Sequence, residues 1–181
     1  MFKYCESLIS VDLSNLNTSR VLNMDFMFYN CKSLTSFNLS NFDTSRVTWI
    51  ESMFHGCSNL QYINLKNAIE TPKEKYKYNN AFKGIPENIV ICINETNAPN
   101  LTQLIKQKDS SCYNIYCSDD WISHQKKLKK GTNQCINNCN NNKDIYLYEF
   151  NGICQENCPY GSFRDENDFV EKCKCENEKC Y

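Results

Sequence analysis

Cysteine is the residue type with the greatest capacity for chemistry in this sequence, with 13 copies among 181 residues. Ten of them lie in the second half of the chain: Cys92, Cys112, Cys117, Cys135, Cys139, Cys154, Cys158, Cys173, Cys175 and Cys180. An even number permits complete pairing, with Cys92 tying the preceding segment to the cysteine-rich region. Disulfides imply an oxidising compartment, and they stabilise small loop-rich modules that bury little apolar surface.

A zinc site is the alternative for four of these cysteines. Cys135 and Cys139 form one C-x₃-C pair, and Cys154 and Cys158 form another, which is compatible with a Cys₄ zinc site. The further cysteines downstream and an aromatic strand at 145–150 favour disulfides instead. A redox-active C-x-C pair at Cys173 and Cys175 is a third possibility.

The other three cysteines, Cys5, Cys31 and Cys57, are spaced 26 residues apart. We expect them to form a column of buried free thiols, since an unpaired cysteine behaves as a small hydrophobic residue. Only two histidines are present, so general bases are scarce. No phosphate-binding loop, nucleophile elbow or zinc-protease motif occurs. The sequence therefore predicts a non-catalytic protein with no cofactor and no metal.

A 26-residue repeat accounts for the even spacing of these three cysteines. Met27-Phe28-Tyr29-Asn30-Cys31 recurs as Met53-Phe54-His55-Gly56-Cys57, and each copy is followed by L-x-x-φ-x-L, where φ is apolar. The φ-x-L part predicts a short strand with one buried face. The Thr-Ser pair that follows predicts the N-cap of a short helix. Segment 81–93 is a fourth, degenerate unit, offset by an insertion within 72–77.

These units resemble the 26-residue repeats of the BspA-like leucine-rich-repeat surface proteins, most closely over 27–47. The resemblance covers roughly 1–93 and implies a surface-exposed solenoid associated with adhesion. The fold class is then an α/β repeat solenoid of about four rungs, with parallel strands on one face and short helices on the other. Leu16 and Phe42 stand where that wider family has a buried asparagine ladder, so no such ladder is expected.

Three regions follow from these patterns. Residues 1–93 form the leucine-rich-repeat solenoid, 94–131 a linker with capping helices, and 132–181 a small, irregular disulfide-rich module. Within the linker, helices are expected at 101–107 and 119–131. The second of these carries acidic residues at its start, lysines at its end and a glycine just beyond, as the helix dipole and C-cap preferences require.

Charge and hydropathy exclude two classes of partner. A formal net charge of -1 offers no basic field for nucleic acid. A spanning helix requires about 20 apolar residues, and no such run is present, so no membrane-spanning segment is expected. The chain starts in mid-repeat at Met1 with no export signal. The disulfides and the resemblance predict an extracellular or cell-surface protein. Its export signal and anchor are then expected to lie outside a truncated chain.

Partner binding is assigned to strand residues that face away from the core. They form a polar grid: Ser10, Asp12, Ser36, Asn38, Tyr62, Asn64 and Lys66. Four Asn-x-Ser/Thr sequons are candidate glycosylation sites: Asn17, Asn38, Asn94 and Asn100. The expected function is adhesion or recognition, with a protein or glycan partner on a host cell or in the extracellular matrix. A structural spacer or stalk is the alternative, and a zinc-binding or thiol-redox protein is a third hypothesis.

Overall fold

The computed structural model describes residues 1–70, 78–107, 112–132, 134–137, 139, 148–158, 162–164 and 173–175. The chain divides into two compact units. The first comprises Met1–Asp109 and Tyr113–His124, and the second comprises Ser110–Cys112 and Gln125–Tyr181. The linker expected at 94–131 is thus shared between both units. The insertion expected within 72–77 lies outside the described residues.

A parallel sheet of four strands forms one side of the first unit. The strands are β1 (Ser36–Asn38), β2 (Tyr62–Leu65), β3 (Val90–Ile93) and β4 (Asn114–Ile115), and they lie in the order β1-β2-β3-β4. Phe37 is in register with Ile63, which is in register with Ile91. β1, β2 and β3 belong to successive turns of the chain and β4 follows the last of these turns, so the sequence repeats lie side by side. We number these turns 1–26, 27–52, 53–80 and 81–107.

A column of phenylalanine rings runs through the core of this stack. The rings of Phe2, Phe28, Phe54 and Phe82 lie nearly parallel, with successive centroids 5.5, 5.6 and 5.9 Å apart. The spacing is close to the separation of neighbouring strands, because one ring comes from each turn. Such ring pairs contribute about 0.5–1.5 kcal/mol each beyond their burial. Phe28 and Phe54 are almost wholly buried, so the repeat period itself builds the core.

The segments opposite the sheet are consecutive tight turns rather than helices. Two positions per turn have a positive φ, and the first recurs as Phe26, Ser52 and Asn80 while the second recurs as Tyr4, Asn30, Gly56 and Gly84. Because two left-handed residues lie four positions apart in these segments, a continuous helix with i→i−4 bonds cannot form. Alternate N–H groups bond to the next turn instead: the Phe28 and Asn30 N–H groups donate to the carbonyls of Met53 and His55. The prediction of short helices here is wrong.

Threonine side chains explain part of this difference. The Thr18 hydroxyl accepts a hydrogen bond from the Asp43 N–H at 2.8 Å and donates to the Asp43 carbonyl at 3.3 Å. Thr44 makes the same pair of bonds to Ile69, at 2.8 and 3.0 Å. Each hydroxyl therefore links one turn to the next by hydrogen bonds. The sequence instead suggested that Thr and Ser cap a helix within their own turn.

An asparagine ladder connects the turns as well, at exposed positions. The Asn41 side-chain amide donates to the Leu13 and Ser14 carbonyls at 3.0 Å each, and the Asn67 amide donates to the Ser40 carbonyl at 2.6 Å. These residues lie one position before the place where the wider leucine-rich-repeat family has its buried ladder. Phe42 occupies that buried place and is 2% exposed.

Helix α1 (Pro99–Lys106) follows the stack, close to the predicted span of 101–107. Its N-terminus is capped from another turn, because the Glu70 carboxylate accepts hydrogen bonds from the Asn100 and Leu101 N–H groups at 2.9 and 2.7 Å. Leu101 and Ile105 are buried in the core of the first unit. The helix therefore packs against the stack through its apolar side.

The second unit consists of short strands. They are β5 (Lys127–Lys129), β6 (Cys135–Ile136), β7 (Tyr148–Phe150), β8 (Ile153–Gln155), β9 (Ser162–Arg164) and β10 (Cys173–Cys175). One sheet has the order β6-β5-β8-β7, and β9 pairs with β10 antiparallel.

The helix predicted over 119–131 is wrong. A 3₁₀ turn covers Trp121–His124, and the lysine run enters β5. The cause is tertiary: Leu128 pairs with Ile153, and Lys127 Nζ lies 2.7 Å from Glu149 Oε1 with both side chains largely buried. Strand pairing and this ion pair override a helix propensity of only tenths of a kcal/mol per residue.

Candidate functional site

The outer face of the parallel sheet holds four of the residues assigned to partner binding, namely Ser36, Asn38, Tyr62 and Asn64. Ser10 and Asp12 lie in the first turn, where the structure has no strand, and Lys66 follows β2, so the prediction of strand positions is wrong for these three. Equivalent residues lie side by side, with Ser36 in register with Tyr62 and Asn38 in register with Asn64. Exposure divides the set in two. The exposed members are Ser10, Asp12, Ser36, Asn38 and Lys66, whereas Tyr62 and Asn64 are half-buried.

Part of the polar capacity of this face is used within the protein. The side-chain oxygens of Asp12, Asn38 and Asn64 each accept a hydrogen bond from the N–H two residues later, at 2.9, 3.0 and 3.1 Å. The bond from the Ser14 N–H lowers the pKa of the Asp12 carboxyl. These side chains therefore close the turn that follows each of them, and the amide nitrogens of the two asparagines remain directed away from that bond.

Residues 116–124, here termed the covering segment, pack on the outer side of β3. Cys92 of β3 is bonded to Cys117, and the ring of Trp121 stacks on Tyr62 with centroids 5.0 Å apart. Val90 and Cys92 are therefore buried although they alternate with the core residue Ile91. Burial raises the pKa of the Tyr62 phenol, and the negative charge of Asp119 adds to this effect. Tyr62 thus packs against its own chain instead of facing a partner.

Eight of the ten cysteines assigned to disulfides are paired in the structure. The pairs are Cys92–Cys117, Cys112–Cys135, Cys139–Cys154 and Cys158–Cys173. Their Cα–Cα distances of 4.5 to 5.5 Å suit disulfide geometry. Cys92 bonds, as predicted, to a cysteine of the group that begins at Cys112, and this partner, Cys117, lies in the first unit. Cys180 and the side chain of Cys175 lie outside the described residues.

These pairings bear on the zinc and redox alternatives. The four sulfurs that could form a Cys₄ site are divided among three different disulfides. Cys173 is bonded to Cys158 rather than to Cys175, which removes the C-x-C redox pair. A sulfur held in a disulfide cannot serve as a thiolate ligand. Across the described part of the chain, no group of three or more potential ligand residues is arranged to hold a metal ion.

The three repeat cysteines are free thiols. Cys31 and Cys57 are fully buried, and their Sγ atoms lie 3.1 and 3.0 Å from the Phe2 and Phe28 carbonyl oxygens. Burial raises the pKa of both thiols, that of Cys57 to about 12. They are therefore inert packing residues, because only the thiolate is a nucleophile. Cys5 is exposed, so the prediction of a wholly buried column is wrong for the first turn.

One local group has the residue types of a hydrolase triad. Ser123 Oγ lies 2.9 Å from His124 Nδ1, and Asp120 Oδ2 lies 3.9 Å from the same nitrogen. A triad requires the serine on one ring nitrogen and the carboxylate on the other. Here both approach Nδ1, and the Tyr116 ring stacks on the imidazole at 3.6 Å. The geometry is that of a 3₁₀ turn closed by its own side chains.

The four sequons occupy different environments. Asn17, Asn38 and Asn94 are exposed, and the oxygen of each side chain accepts the N–H of the residue two positions later. Asn100 differs, because its side-chain amide donates to Glu70 Oε2 at 3.0 Å and its sequon threonine, Thr102, is buried. The first three can present an amide to solvent, whereas the fourth is engaged at the start of α1.

Two structural elements near the candidate site were not predicted from the sequence. The covering segment has no repeat signature, and only its cysteine and tryptophan indicated a packed region. An apolar cavity inside the stack is the other, and two alanines at otherwise large positions of the repeat could have revealed it.

Among the described residues, no helix has the length and apolar character needed to cross a bilayer.

The geometry defines a class of protein, namely a stack of sequence repeats with an exposed polar sheet face, followed by a disulfide-bonded unit. Comparison with protein families then finds that residues 1–87 match the family described as "Mycoplasma protein of unknown function, DUF285". The matched residues include β1 and β2 and end just before β3. No curated protein matches the chain, and no solved structure does.

Proposed function

We propose that the chain is an extracellular recognition and adhesion module of the BspA-like kind. In this proposal residues 1–93 form a leucine-rich-repeat solenoid that binds a protein or glycan partner and catalyses no reaction. One observation carries the proposal: equivalent outer residues of neighbouring strands, such as Asn38 and Asn64, lie in register and form a regular polar surface. Repeat stacks commonly bind partners through such extended faces.

Two further observations support an extracellular location. Four disulfides in the described residues are typical of chains that fold in an oxidising compartment. The second observation is that residues 1–87 match a family of unknown function. This match is consistent with the resemblance to surface proteins.

The proposed contact surface is narrower than the sequence suggested. Because the covering segment occupies the outer side of β3 and packs on Tyr62, the available surface lies on the first two turns and the edge of the third. It contains Ser10, Asp12, Ser36, Asn38 and Lys66. Small hydroxyl and amide groups dominate it, so it suits a modest, polar interface with bridging water.

A structural spacer is the competing function, and one observation favours it. Asp12, Asn38 and Asn64 each use a side-chain oxygen to close the turn that follows them. These polar groups therefore have a structural role that requires no partner. The two functions predict different effects on binding when this face is blocked.

Binding of the oxidised chain to an array of glycans and immobilised extracellular-matrix proteins tests the proposal. A Ser36→Arg/Asn38→Arg variant places two bulky charges on the exposed face and is expected to abolish any binding. Lys83→Glu, at an exposed position of the opposite turns, is the control and is expected to retain it. Equal binding by both variants would remove the strand face as the contact surface. No binding by the unmodified chain to any array component would favour the spacer.

A further inference from the structure

Alanine replaces two large core side chains of the repeat, one in the third turn and one in the fourth. Where the second turn has Phe42, the third has Ala68, and where the third turn has Met53, the fourth has Ala81. Backbone bonds confirm these equivalences. The Phe42 and Ala68 N–H groups donate to the leucine carbonyls three residues earlier, and those of Met53 and Ala81 likewise bond three residues back. Both alanines are buried.

A cavity of about 50 Å³ lies between the turns at this place. One water molecule requires roughly 10–15 Å³ on the same measure, so the space is several times larger than a packing defect. Its lining includes both alanines together with Phe42, Met53, Phe54 and Phe82. The missing side chains therefore account for its position, because the larger residues of the neighbouring turns line the hollow that their counterparts leave unfilled.

The lining sets the chemistry of an occupant. Nearly all of it is carbon, and its polar side chains are those of Thr44, Glu70 and Tyr78. The Thr44 hydroxyl is bonded to the Ile69 backbone, and the Glu70 carboxylate is bonded to the N-terminus of α1. Apolar cavities accept apolar guests. A charge on the guest would lose its hydration without compensation.

We propose that this cavity is a binding site for a small, uncharged apolar molecule. The site is distinct from the outer sheet face, because none of the exposed residues assigned to partner binding lines it. It follows that binding stabilises the first unit, because a guest that binds only the folded state shifts the unfolding equilibrium. At a free concentration ten times the Kd, the ratio of folded to unfolded chain rises about elevenfold.

Benzene is the probe, and Ala81→Met is the decisive variant. The substitution restores the side chain that the preceding turn has at the same position, so it should fill the space without lowering the urea midpoint. Benzene should raise the midpoint of the unmodified chain and leave that of Ala81→Met unchanged. Ala98→Val is the matched control, because Ala98 is buried but does not line the cavity. It should lower the midpoint and retain the response to benzene.

Benzoate separates an apolar site from an unselective one. It has the ring of benzene, but an apolar lining cannot replace the hydration of its carboxylate, so binding roughly tenfold weaker or worse is expected. Equal midpoint shifts with benzoate and benzene would overturn the assignment of an apolar guest. A benzene shift that persists in Ala81→Met, or no shift in the unmodified chain, would overturn the site itself.

Discussion

The ring of Trp121 lies parallel to the ring of Tyr62, with centroids 5.0 Å apart and 4° between the ring planes. Tyr62 belongs to β2, and Trp121 belongs to the covering segment that follows the sheet. Together with the Cys92–Cys117 disulfide, this stack fixes the segment on the outer side of the sheet. The repeat face is therefore divided into a covered part and an exposed part, and only the exposed part is available to a partner.

Removal of the tryptophan ring should restore an ordinary environment to Tyr62. In Trp121→Ala, the pKa of the Tyr62 phenol should fall towards its usual value, because burial is the main cause of its increase. The free energy of unfolding should fall by about 2 kcal/mol, less than the roughly 3–5 kcal/mol of a fully buried aromatic. Tyrosine-labelled NMR titration and urea denaturation measure the two effects.

Ile122→Ala is the control for that variant, since Ile122 lies on the same 3₁₀ turn and is 58% exposed. It should leave both the Tyr62 pKa and the unfolding midpoint nearly unchanged. An unaltered Tyr62 pKa in Trp121→Ala would show that the covering segment does not shield this face.

The Glu70 carboxylate should contribute more to stability than an exposed ion pair. Glu70→Gln removes the charge that accepts hydrogen bonds from the Asn100 and Leu101 N–H groups at the start of α1, and a loss of about 1 kcal/mol is expected. Glu95→Gln is the matched control, because Glu95 pairs with Lys106 at 2.6 Å while both side chains are half exposed. Its loss should stay within about 0.5 kcal/mol.

Amide hydrogen exchange of α1 measures this difference at residue level. Protection should decrease across the helix in Glu70→Gln and should remain close to that of the unmodified chain in Glu95→Gln. Similar protection in both variants would mean that α1 is held by its buried Leu101 and Ile105 alone.

Two glycines in equivalent turns should differ in their tolerance of alanine. Gly56 and Gly84 have φ values of +77° and +74°, so Ala at either position costs about 1–2 kcal/mol through backbone strain. At Gly56 an added Cβ would also displace the Asn30 side chain, whereas at Gly84 the nearest atom is an ordinary neighbour at 3.4 Å. Gly56→Ala should therefore be the more destabilising of the two in urea denaturation.

A double-mutant cycle isolates the contribution of Asn30. In an Asn30→Gly background, which suits the positive φ of that position, the cost of Gly56→Ala should fall to that of Gly84→Ala. An equal cost of Gly56→Ala in both backgrounds would show that the asparagine side chain yields freely.

The sequence predicts most of what depends on the period and little of what depends on contacts between turns. The apolar residues of L-x-x-φ-x-L locate β1 and β2, because alternation on a strand is a local property. Phe26 and Ser52 give no sign of their left-handed φ, since both residue types usually avoid it. The sequence predicts helix capping for Thr44, because no local pattern shows that its hydroxyl bonds to a residue 25 positions away.

Contacts between distant parts of the chain also limit what the sequence predicts about the candidate site. Alternation placed Tyr62 on the outer face correctly, but no local pattern shows that Trp121 covers it. Cysteine spacing likewise predicts a crosslinked region without fixing the partners, since ten cysteines permit many connectivities. Burial by a distant segment is a tertiary property, so exposure along a strand could be inferred only for the turns that nothing covers.

Alkaline pH should weaken the fold through Cys57. Burial raises the pKa of this thiol to about 12 from an ordinary value near 9.0, so above that lower value the unfolded chain loses a proton that the folded chain retains. The free energy of unfolding should be insensitive to this group below pH 9 and should then fall by up to about 1.4 kcal/mol per pH unit. Cys57→Ala should lack this component, whereas Cys5→Ala should keep it because Cys5 is exposed. Urea denaturation between pH 8 and 10.5 measures the slopes, and parallel curves for the unmodified chain and Cys57→Ala would show that the buried thiol does not control alkaline stability.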